Sequence, residues 1–251
     1  MYYSSKAIIL RNRDYQEADR LVSVFTEQYG KIGAIAKGVK KPNSSLRACT
    51  QPFCYAQLYF YRGKDLSIIT QGKLLDFFGR VRSNFSETIY VLYMLEMLDK
   101  ILLEQERHTK LFYQTLAVVQ SLEKNGYQPL ALRYFEVQIL KEMGFTPELS
   151  NCVVCAAKAE AYYISLSAGG LVCKKCERTI DNLFELSPET LALLRLLFRS
   201  NLEVTERINV SRGGLTQLEK FLEIYLEYHL EQRLSMKQVL QILKQKYMLS
   251  S

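Results

Sequence analysis

The chain has 251 residues, of which 48% are hydrophobic and 24% are charged, and its formal net charge is +7. This balance is typical of folded globular proteins and excludes a disordered chain, and the length suits two or three small domains. No apolar run reaches the roughly 18 residues that a membrane span needs. The run from Ala7 to Leu10 ends at Arg11 and is too short for a signal peptide, so we expect a cytoplasmic protein.

The positive charge is concentrated near the N-terminus. Residues 1–80 contain 13 Lys and Arg against 6 Asp and Glu, whereas residues 81–251 contain 20 of each kind. A basic module beside a neutral remainder predicts an anionic partner for that module, with nucleic acid as the leading candidate. The alternative is a scatter of lysines that only keep the protein soluble.

Residues 1–80 carry the pattern of a small β barrel. Arg62-Gly63-Lys64-Asp65 is a typical hairpin turn between two strands, and no helical pattern extends beyond a turn or two. The size matches the five-stranded OB-fold, a barrel that often binds oligonucleotides. The segments with strand-like alternation or β-branched and aromatic composition are residues 7–10, 21–26, 32–36, 57–61 and 66–70.

A basic loop follows the third predicted strand. Residues 37–47 hold four cations, and Gly38 and Pro42 mark the segment as irregular. Phosphate groups need such a surface, because Lys and Arg neutralise charge while hydroxyl and amide groups donate hydrogen bonds. The candidate phosphate contacts in the loop are Lys37, Lys40, Lys41 and Arg47, and Arg11, Arg13, Arg20 and Lys31 can extend them.

The aromatic triple Tyr59-Phe60-Tyr61 has two possible uses. Exposed rings provide a face on which bases stack. Strand alternation turns one side of the strand inward, however, so we expect at most one or two rings outside and favour core packing.

The pattern changes to helical periodicity after residue 85. Helices are predicted from Ser86 as N-cap, over 109–124, and from Pro129 to Met143. Later helices are expected from Ser187 as N-cap, after Gly213-Gly214, and over 235–247. Arg133 lies in a strongly apolar stretch, where it is either a surface charge or the partner of Glu136 or Glu87.

Two CxxC pairs carry the strongest chemical signal. The first pair is Cys152 and Cys155, and the second is Cys173 and Cys176. Their spacing is that of a tetrahedral four-cysteine zinc site, and a small hairpin from Tyr162 to Val172 is predicted between them. Four thiolates leave no open position, so one zinc ion here would be structural. The alternatives are two disulfides or four unrelated buried cysteines. Cys49 and Cys54 are expected to be small buried hydrophobes.

The sequence lacks the common motifs of nucleotide-binding and catalytic sites. It has no phosphate-binding GxxxxGK[ST] loop and no HExxH, and both histidines, His108 and His229, lie in helical segments. We therefore expect a binding protein rather than an enzyme, although a nucleic-acid enzyme with an unrecognised site stays open as an alternative.

These elements predict an α+β multidomain protein with three parts. Residues 1–80 form an OB-fold-like basic barrel that binds nucleic acid. Residues 81–150 and 180–251 form an all-α helical domain. Residues 151–179 form an embedded four-cysteine, zinc-ribbon-like module.

Several short motifs resemble one family. The basic module carries Ala36-Lys37-Gly38 and, further on, Gln51-Pro52-Phe53. The helical part carries residues 132–136, Leu-Arg-Tyr-Phe-Glu, and Met143-Gly144-Phe145, and the cysteine module follows. The chain resembles the bacterial RecO family of recombination mediators over essentially its whole length. The first two motifs, at their mutual spacing, are the part of the resemblance that is most specific to this family.

The resemblance implies a function and a set of partners. It implies binding of single- and double-stranded DNA, annealing of complementary strands, work with RecR, and indirect help for RecA in replacing single-strand-binding protein (SSB). It also implies a nucleoid-associated protein. DNA phosphates are expected at Lys31, Lys37, Lys40, Lys41, Arg47 and Arg11.

The resemblance further implies a contact with the C-terminal tail of SSB. That tail needs an apolar pocket with a cationic rim, for which Arg133 and Tyr134 are the candidates. The alternative to this whole interpretation is a zinc-stabilised protein–protein adaptor without direct DNA binding.

Overall fold

The structure is a computed structural model that describes residues 1–158, 163–232, 234, 238–240 and 242. The chain divides into two compact units, one containing Met1–Tyr127 with the described part of Gln232–Ser251, the other Gln128–Glu231. The unit boundaries differ from the three predicted domains, which stay predictions. The structure groups the first long helices with the barrel and the later helices with the cysteine module.

Five strands of the first unit close into a barrel. They are β1 (Tyr2–Tyr15), β2 (Asp19–Thr26), β3 (Gly30–Ala36), β4 (Tyr55–Tyr61) and β5 (Ser67–Asp76). Hydrogen-bonded neighbours follow the order β1-β2-β3-β5-β4, and β4 pairs with β1 to close the ring. All neighbours are antiparallel except β3 and β5. The N-terminal OB-fold-like barrel is therefore confirmed.

Alternation of side chains fills the barrel interior. In β3, Ile32, Ala34 and Ala36 point into the core while the residues between them are half-buried. The predicted burial of Cys49 and Cys54 is also confirmed. A bulge between Ile9 and Arg11 interrupts the register of β1, and such bulges bend a strand, which helps one strand pair with both β2 and β4.

Four helices accompany the barrel: α1 (Leu46–Cys49), α2 (Gly79–Ser83), α3 (Phe85–Ile101) and α4 (Thr109–Asn125). The prediction that Ser86 caps α3 is wrong, because Ser86 lies inside the first turn. Asn84 is the N-cap, and its side-chain oxygen accepts a hydrogen bond from the Glu87 amide at 3.2 Å. Helix α3 packs on β1, and Phe112 of α4 meets Phe25 of β2 with ring centroids 5.4 Å apart.

The second unit contains α5 (Pro129–Glu142), α6 (Pro188–Arg199), α7 (Leu202–Glu206) and α8 (Arg212–Leu230). The predicted N-cap at Ser187 is confirmed, since its hydroxyl accepts from the Thr190 amide at 3.1 Å. The prediction that Gly213-Gly214 precedes a helix is wrong by one turn. Ser211 caps α8, and Gly214 lies inside the helix, where the Glu189 carboxylate occupies the space that a Cβ atom would need.

A three-stranded sheet completes the second unit. Its strands are β6 (Tyr163–Ser165), β7 (Gly170–Val172) and β8 (Leu183–Glu185), in the order β7-β6-β8. The predicted hairpin between the CxxC pairs corresponds to β6 and β7, although Tyr162 lies outside the described residues. Most of the predicted helix over 235–247 also lies outside them; residues 238–240 and 242 are described as helical.

Candidate functional site

The four cysteines of the two CxxC pairs converge in the second unit. The sulfur atoms of Cys152, Cys155, Cys173 and Cys176 all lie within 4.8 Å of one another. No disulfide joins them, and the Sγ atoms of Cys155 and Cys173 are 3.8 Å apart. Because four thiolates at these separations match the donor set and the size of a tetrahedral metal site, this cluster could hold a metal ion.

Backbone hydrogen bonds shape the two cysteine turns. The Ala156 amide donates to the Cys152 carbonyl at 2.9 Å, and the Cys176 amide donates to the Cys173 carbonyl at 2.9 Å. The Val153 amide donates to Leu171 of β7 at 2.8 Å, which brings the first turn beside the hairpin. A Cβ atom on Gly170 would lie 2.5 Å from the Val153 side chain, so the close approach needs glycine there.

The electrostatics of the cluster favour a cation. Burial raises the pKa of the Cys152 thiol, but backbone amides led by that of Cys173 outweigh burial and lower the pKa to about 6. At Cys176 the neighbouring sulfur groups, that of Cys173 first, raise the pKa to about 12. One thiol thus ionises readily while another resists, and a bound metal cation removes that resistance by neutralising the thiolates.

The basic loop lies at one end of the barrel. Its Gly38 amide donates to the Asp19 carboxylate at 2.7 Å, and its Lys40 amide donates to the Ala18 carbonyl at 3.0 Å, so the loop lies beside the β1–β2 turn. The Arg47 guanidinium donates to the carbonyls of Lys40 and Lys41 at 2.9 and 3.3 Å. These bonds give the loop a defined shape.

All four cations of the loop are exposed. Lys40 pairs with Asp14 at 3.0 Å, and the hydrogen bonds from Lys40 and then Arg20 lower the pKa of that carboxyl group. The pair is exposed, so it contributes little stability and an incoming phosphate can displace it. Lys37, Lys40, Lys41 and Arg47 thus lie exposed on one loop, and Arg47 contacts the backbone of Lys40 and Lys41.

Arg11 and Lys31 are separated from that loop and contact Asp99 of α3. Arg11 Nε lies 2.7 Å from Asp99 Oδ2, and Lys31 Nζ donates to the Asp99 carbonyl oxygen at 2.6 Å. The Ser23 hydroxyl donates to Asp99 Oδ1 at 2.5 Å. Their predicted contact with DNA stays a prediction, but in this structure both side chains already bind an acceptor.

The segment after α3 covers the same side of the barrel. The Gln105 amide donates to the Lys31 carbonyl at 2.8 Å, which adds a short bridge to the edge of β3. Gly30 has a φ of +67°, and a Cβ atom there would lie 1.8 Å from the Glu106 carbonyl oxygen. Glycine is therefore needed at residue 30 both for the backbone angle and for this approach.

Arg133 and Tyr134 are buried in α5. The Arg133 side chain is 7% exposed and its guanidinium lies 3.0 Å from Glu136 Oε1. Of the alternatives considered for Arg133, the structure contains the ion pair with Glu136 and not a surface charge. The role of Arg133 and Tyr134 in binding a peptide tail stays a prediction. Neither residue is exposed, as the cationic rim of a peptide pocket would be.

Sequence reasoning missed Asp99. It is one of several polar residues on a long helix, and neither spacing nor composition links it to Arg11, which precedes it by 88 positions. Only the packing of α3 on the barrel brings the two together.

The fold and the site together define a class: an OB-type barrel with a basic loop, followed by helices and a four-cysteine cluster that could hold a metal ion. Comparison with known proteins identifies the family. Residues 1–78 match the family model described as recombination protein O N terminal, and residues 82–238 match recombination protein O C terminal. The chain belongs to the recombination protein O family.

Relatives agree along nearly the whole chain. The chain is 47% identical to the DNA repair protein RecO of Syntrophomonas wolfei over 97% of this chain and 98% of the relative. It is 32% identical to the protein of that name from Desulforamulus reducens, over 92% and 91%, and 31% identical to that from Moorella thermoacetica, over 92% and 88%. Membership supports a role in DNA repair and recombination. Among the described residues, no helix is long and apolar enough to cross a membrane.

Proposed function

We propose that this protein is a DNA repair and recombination mediator that binds single- and double-stranded DNA and anneals complementary strands. With RecR it helps load RecA onto single-stranded DNA coated with SSB. The observation that carries the DNA-binding part is the basic loop, where four exposed cations lie together at one end of an OB-type barrel. The protein acts as a binding protein rather than an enzyme, in the cytoplasm and at the nucleoid.

Annealing follows from charge neutralisation. Two complementary strands repel one another through their phosphates, and each cation that replaces a condensed counterion lowers this repulsion. Lys37, Lys40, Lys41 and Arg47 supply four such charges. Arg11 and Lys31 are expected to contribute less, because both contact Asp99, whose side chain is 13% exposed, whereas Asp14, the partner of Lys40, is 63% exposed.

The metal ion is proposed to be one zinc, held by Cys152, Cys155, Cys173 and Cys176. The all-thiolate donor set and the tetrahedral size of the cluster support zinc over metals that prefer oxygen ligands. A closed four-thiolate site has no position for water or substrate, so its role is structural.

The partner contact at Arg133 and Tyr134 requires a test that keeps the helix intact. Removing Arg133 alone leaves a buried carboxylate and destabilises the helix, so Arg133→Met is combined with Glu136→Gln. We expect this double variant to lose affinity for a synthetic SSB tail peptide, measured by fluorescence anisotropy, while it keeps its DNA affinity. Unchanged peptide affinity would remove the assignment.

The main experiment measures oligonucleotide binding across a salt series. Replacing Lys37, Lys40 and Lys41 with Glu is expected to abolish most of the affinity and to reduce the slope of log K against log salt by about 2, because three phosphate contacts are lost. The matched control changes Arg107, Lys110 and Lys124 to Glu, which alters the net charge equally in exposed positions on and before α4. The control should bind nearly as well as the native protein.

A second candidate, a protein–protein adaptor without DNA binding, predicts a different result. The native protein would then show no salt-sensitive affinity for an oligonucleotide. Equal losses in the loop variant and in the control would instead show that only net charge matters, and the loop would not be the DNA site.

A further inference from the structure

In OB-folds, oligonucleotides usually bind the outer face of strands 2 and 3 between the 1–2 and 4–5 loops. In this protein α3 and the segment after it partly cover that face. Asp99 contacts Arg11, Ser23 and Lys31 there, and its side chain is only 13% exposed. The cavity left between Asp99, Glu104 and the strands is only about 190 Å³, and two of the three cations in its lining, Arg11 and Lys31, already contact Asp99.

The outer face at the start of β1 and the end of β4 is exposed instead, whereas helices cover the later part of β1. Alternation along β4 turns Phe60 into the core and leaves Tyr59 and Tyr61 outside, 43% and 40% exposed. Tyr2 of β1, 73% exposed, lies beside them. Large aromatic side chains exposed in a group are unusual on a protein surface and indicate a binding site.

Strand register places the three rings on one surface. Tyr2 pairs with Tyr61, and Ser4 pairs with Tyr59, so the rings occupy adjacent rows of β1 and β4. Tyr59 and Tyr61 are two residues apart and therefore about 7 Å apart along the strand. The rings of Tyr2 and Tyr61 are tilted by 58° with centroids 5.1 Å apart, so neither is stacked flat against the other.

Cations lie at one end of these rows. In the next row Lys6 pairs with Gln57, which pairs with the exposed Lys73 of β5. At the other end β4 runs into Arg62 and Lys64, which line a separate pocket at the barrel mouth, where Arg62 lies over the Tyr3 ring at 6.0 Å from its centroid. The nearby acidic residues are Glu27, whose amide donates to the Lys6 carbonyl and whose carboxylate accepts from the Tyr113 hydroxyl, and Asp76, which accepts from the Phe78 amide at 2.8 Å.

We infer that Tyr2, Tyr59 and Tyr61 form an aromatic platform on which the bases of a single DNA strand stack, with Lys6 and Lys73 beside its phosphates. This inference rests on the proposed function and adds a second DNA surface to the basic loop. Stacking on aromatic rings tolerates any base sequence, which suits a protein that acts on any gap. A duplex keeps its bases paired and stacked, so the platform distinguishes single strands from double strands.

The first test compares the Tyr59→Ala/Tyr61→Ala double variant with Tyr59→Phe/Tyr61→Phe. The alanine variant is expected to bind a single-stranded oligonucleotide at least about tenfold more weakly, with an unchanged salt slope, because stacking releases no counterions. Its affinity for a duplex should stay the same. The phenylalanine variant should bind like the native protein, since it keeps the rings.

Each outcome decides between defined alternatives. If the native protein binds single strands and the alanine variant binds them equally well, the platform is refuted while the proposed function stands. Equal losses on single strands and duplex, or a loss in the phenylalanine variant, also refute the platform. If the native protein binds no DNA, the proposed function fails and the platform fails with it.

A fluorescence experiment tests contact directly. The chain contains no Trp, so Tyr59→Trp introduces a single reporter, and stacked bases should quench its emission. The control is Tyr127→Trp, because Tyr127, which stacks on Tyr90 beyond the C-terminal end of α4, is also exposed, at 41%. Quenching at both positions or at neither refutes the platform. Sedimentation of the native protein and the alanine variant shows whether the face instead binds a second copy, since a dimer that only the native protein forms also refutes it.

Discussion

The barrel and the cysteine module are both small β structures, yet different forces hold them. The barrel strands have 7 to 14 residues, close on themselves and surround one continuous apolar core. The strands of the module have 3 residues each and leave open edges. Ladders this short are marginal alone in water. We therefore expect the module to depend on a metal ion bound by its four sulfur ligands and on the packing of Phe184 against Phe221 of α8, whereas the barrel depends on its own buried core.

The largest expected effect comes from breaking the metal site. Replacing Cys173 with Ser, or removing the metal with a chelator, should unfold the module, because structural zinc typically supplies roughly 10–16 kcal/mol of apparent binding free energy. Metal content by elemental analysis should fall from one ion per chain to none. Limited proteolysis should then cut between residues 152 and 176.

The barrel provides the internal control for this prediction. Amide hydrogen exchange in β1 to β5 should be unchanged by chelation, since their core contains no cysteine of the cluster. The proposed difference between the two structures is wrong if the module of the chelated protein stays resistant to protease. It is also wrong if the barrel amides lose protection together with the module.

An intermediate effect is expected from the barrel core. Phe60 is fully buried and stacks on Tyr3 with ring centroids 5.0 Å apart. Phe60→Ala should lower the free energy of unfolding by about 3–5 kcal/mol, through lost burial and the cavity left behind. Chemical denaturation followed by far-UV circular dichroism measures this change.

The adjacent residue supplies a matched control for Phe60. Tyr59→Ala removes an exposed ring from the same strand and should change the free energy of unfolding by about 0.5 kcal/mol or less. Similar losses for the two variants would mean that the inward and outward faces of β4 are not distinguished as the structure indicates.

The smallest effect concerns His229 in the second unit. Its ring packs against Phe145 and Tyr225, at centroid distances of 4.8 and 4.2 Å, and burial lowers the pKa of the imidazole below 6.5. The unfolded state then binds a proton more readily than the folded state. Stability contributed by the neutral ring is present above pH 6.5 and is lost as the pH falls toward the folded pKa.

Comparison with His229→Gln isolates this effect. The variant should show a weaker decline of the thermal midpoint below pH 6.5 than the native protein, with the metal content of both proteins checked at each pH. Parallel declines in both proteins would assign the pH dependence to other groups, such as the cysteine cluster.

Local patterns explain which features could be predicted. Alternation in Ile32-Gly33-Ala34 predicted β3, and Ser187-Pro188 predicted the start of α6, because both signals depend on neighbouring residues only. Asn84 was missed as the cap of α3 because Ser86 is also a good capping residue and lies only two positions away. The choice between them depends on where the preceding turn ends.

Strand alternation, helical spacing and CxxC pairs are short-range patterns, so the barrel, the helices, the cysteine cluster and the family could all be inferred from the residues alone. Which cations remain available to a polyanion could not, because that depends on long-range packing. Arg11 and Lys31 look like the loop cations in sequence, yet α3 packs on the barrel and presents Asp99 to both of them. A charge is defined by its residue, but its availability depends on what the rest of the chain packs against it.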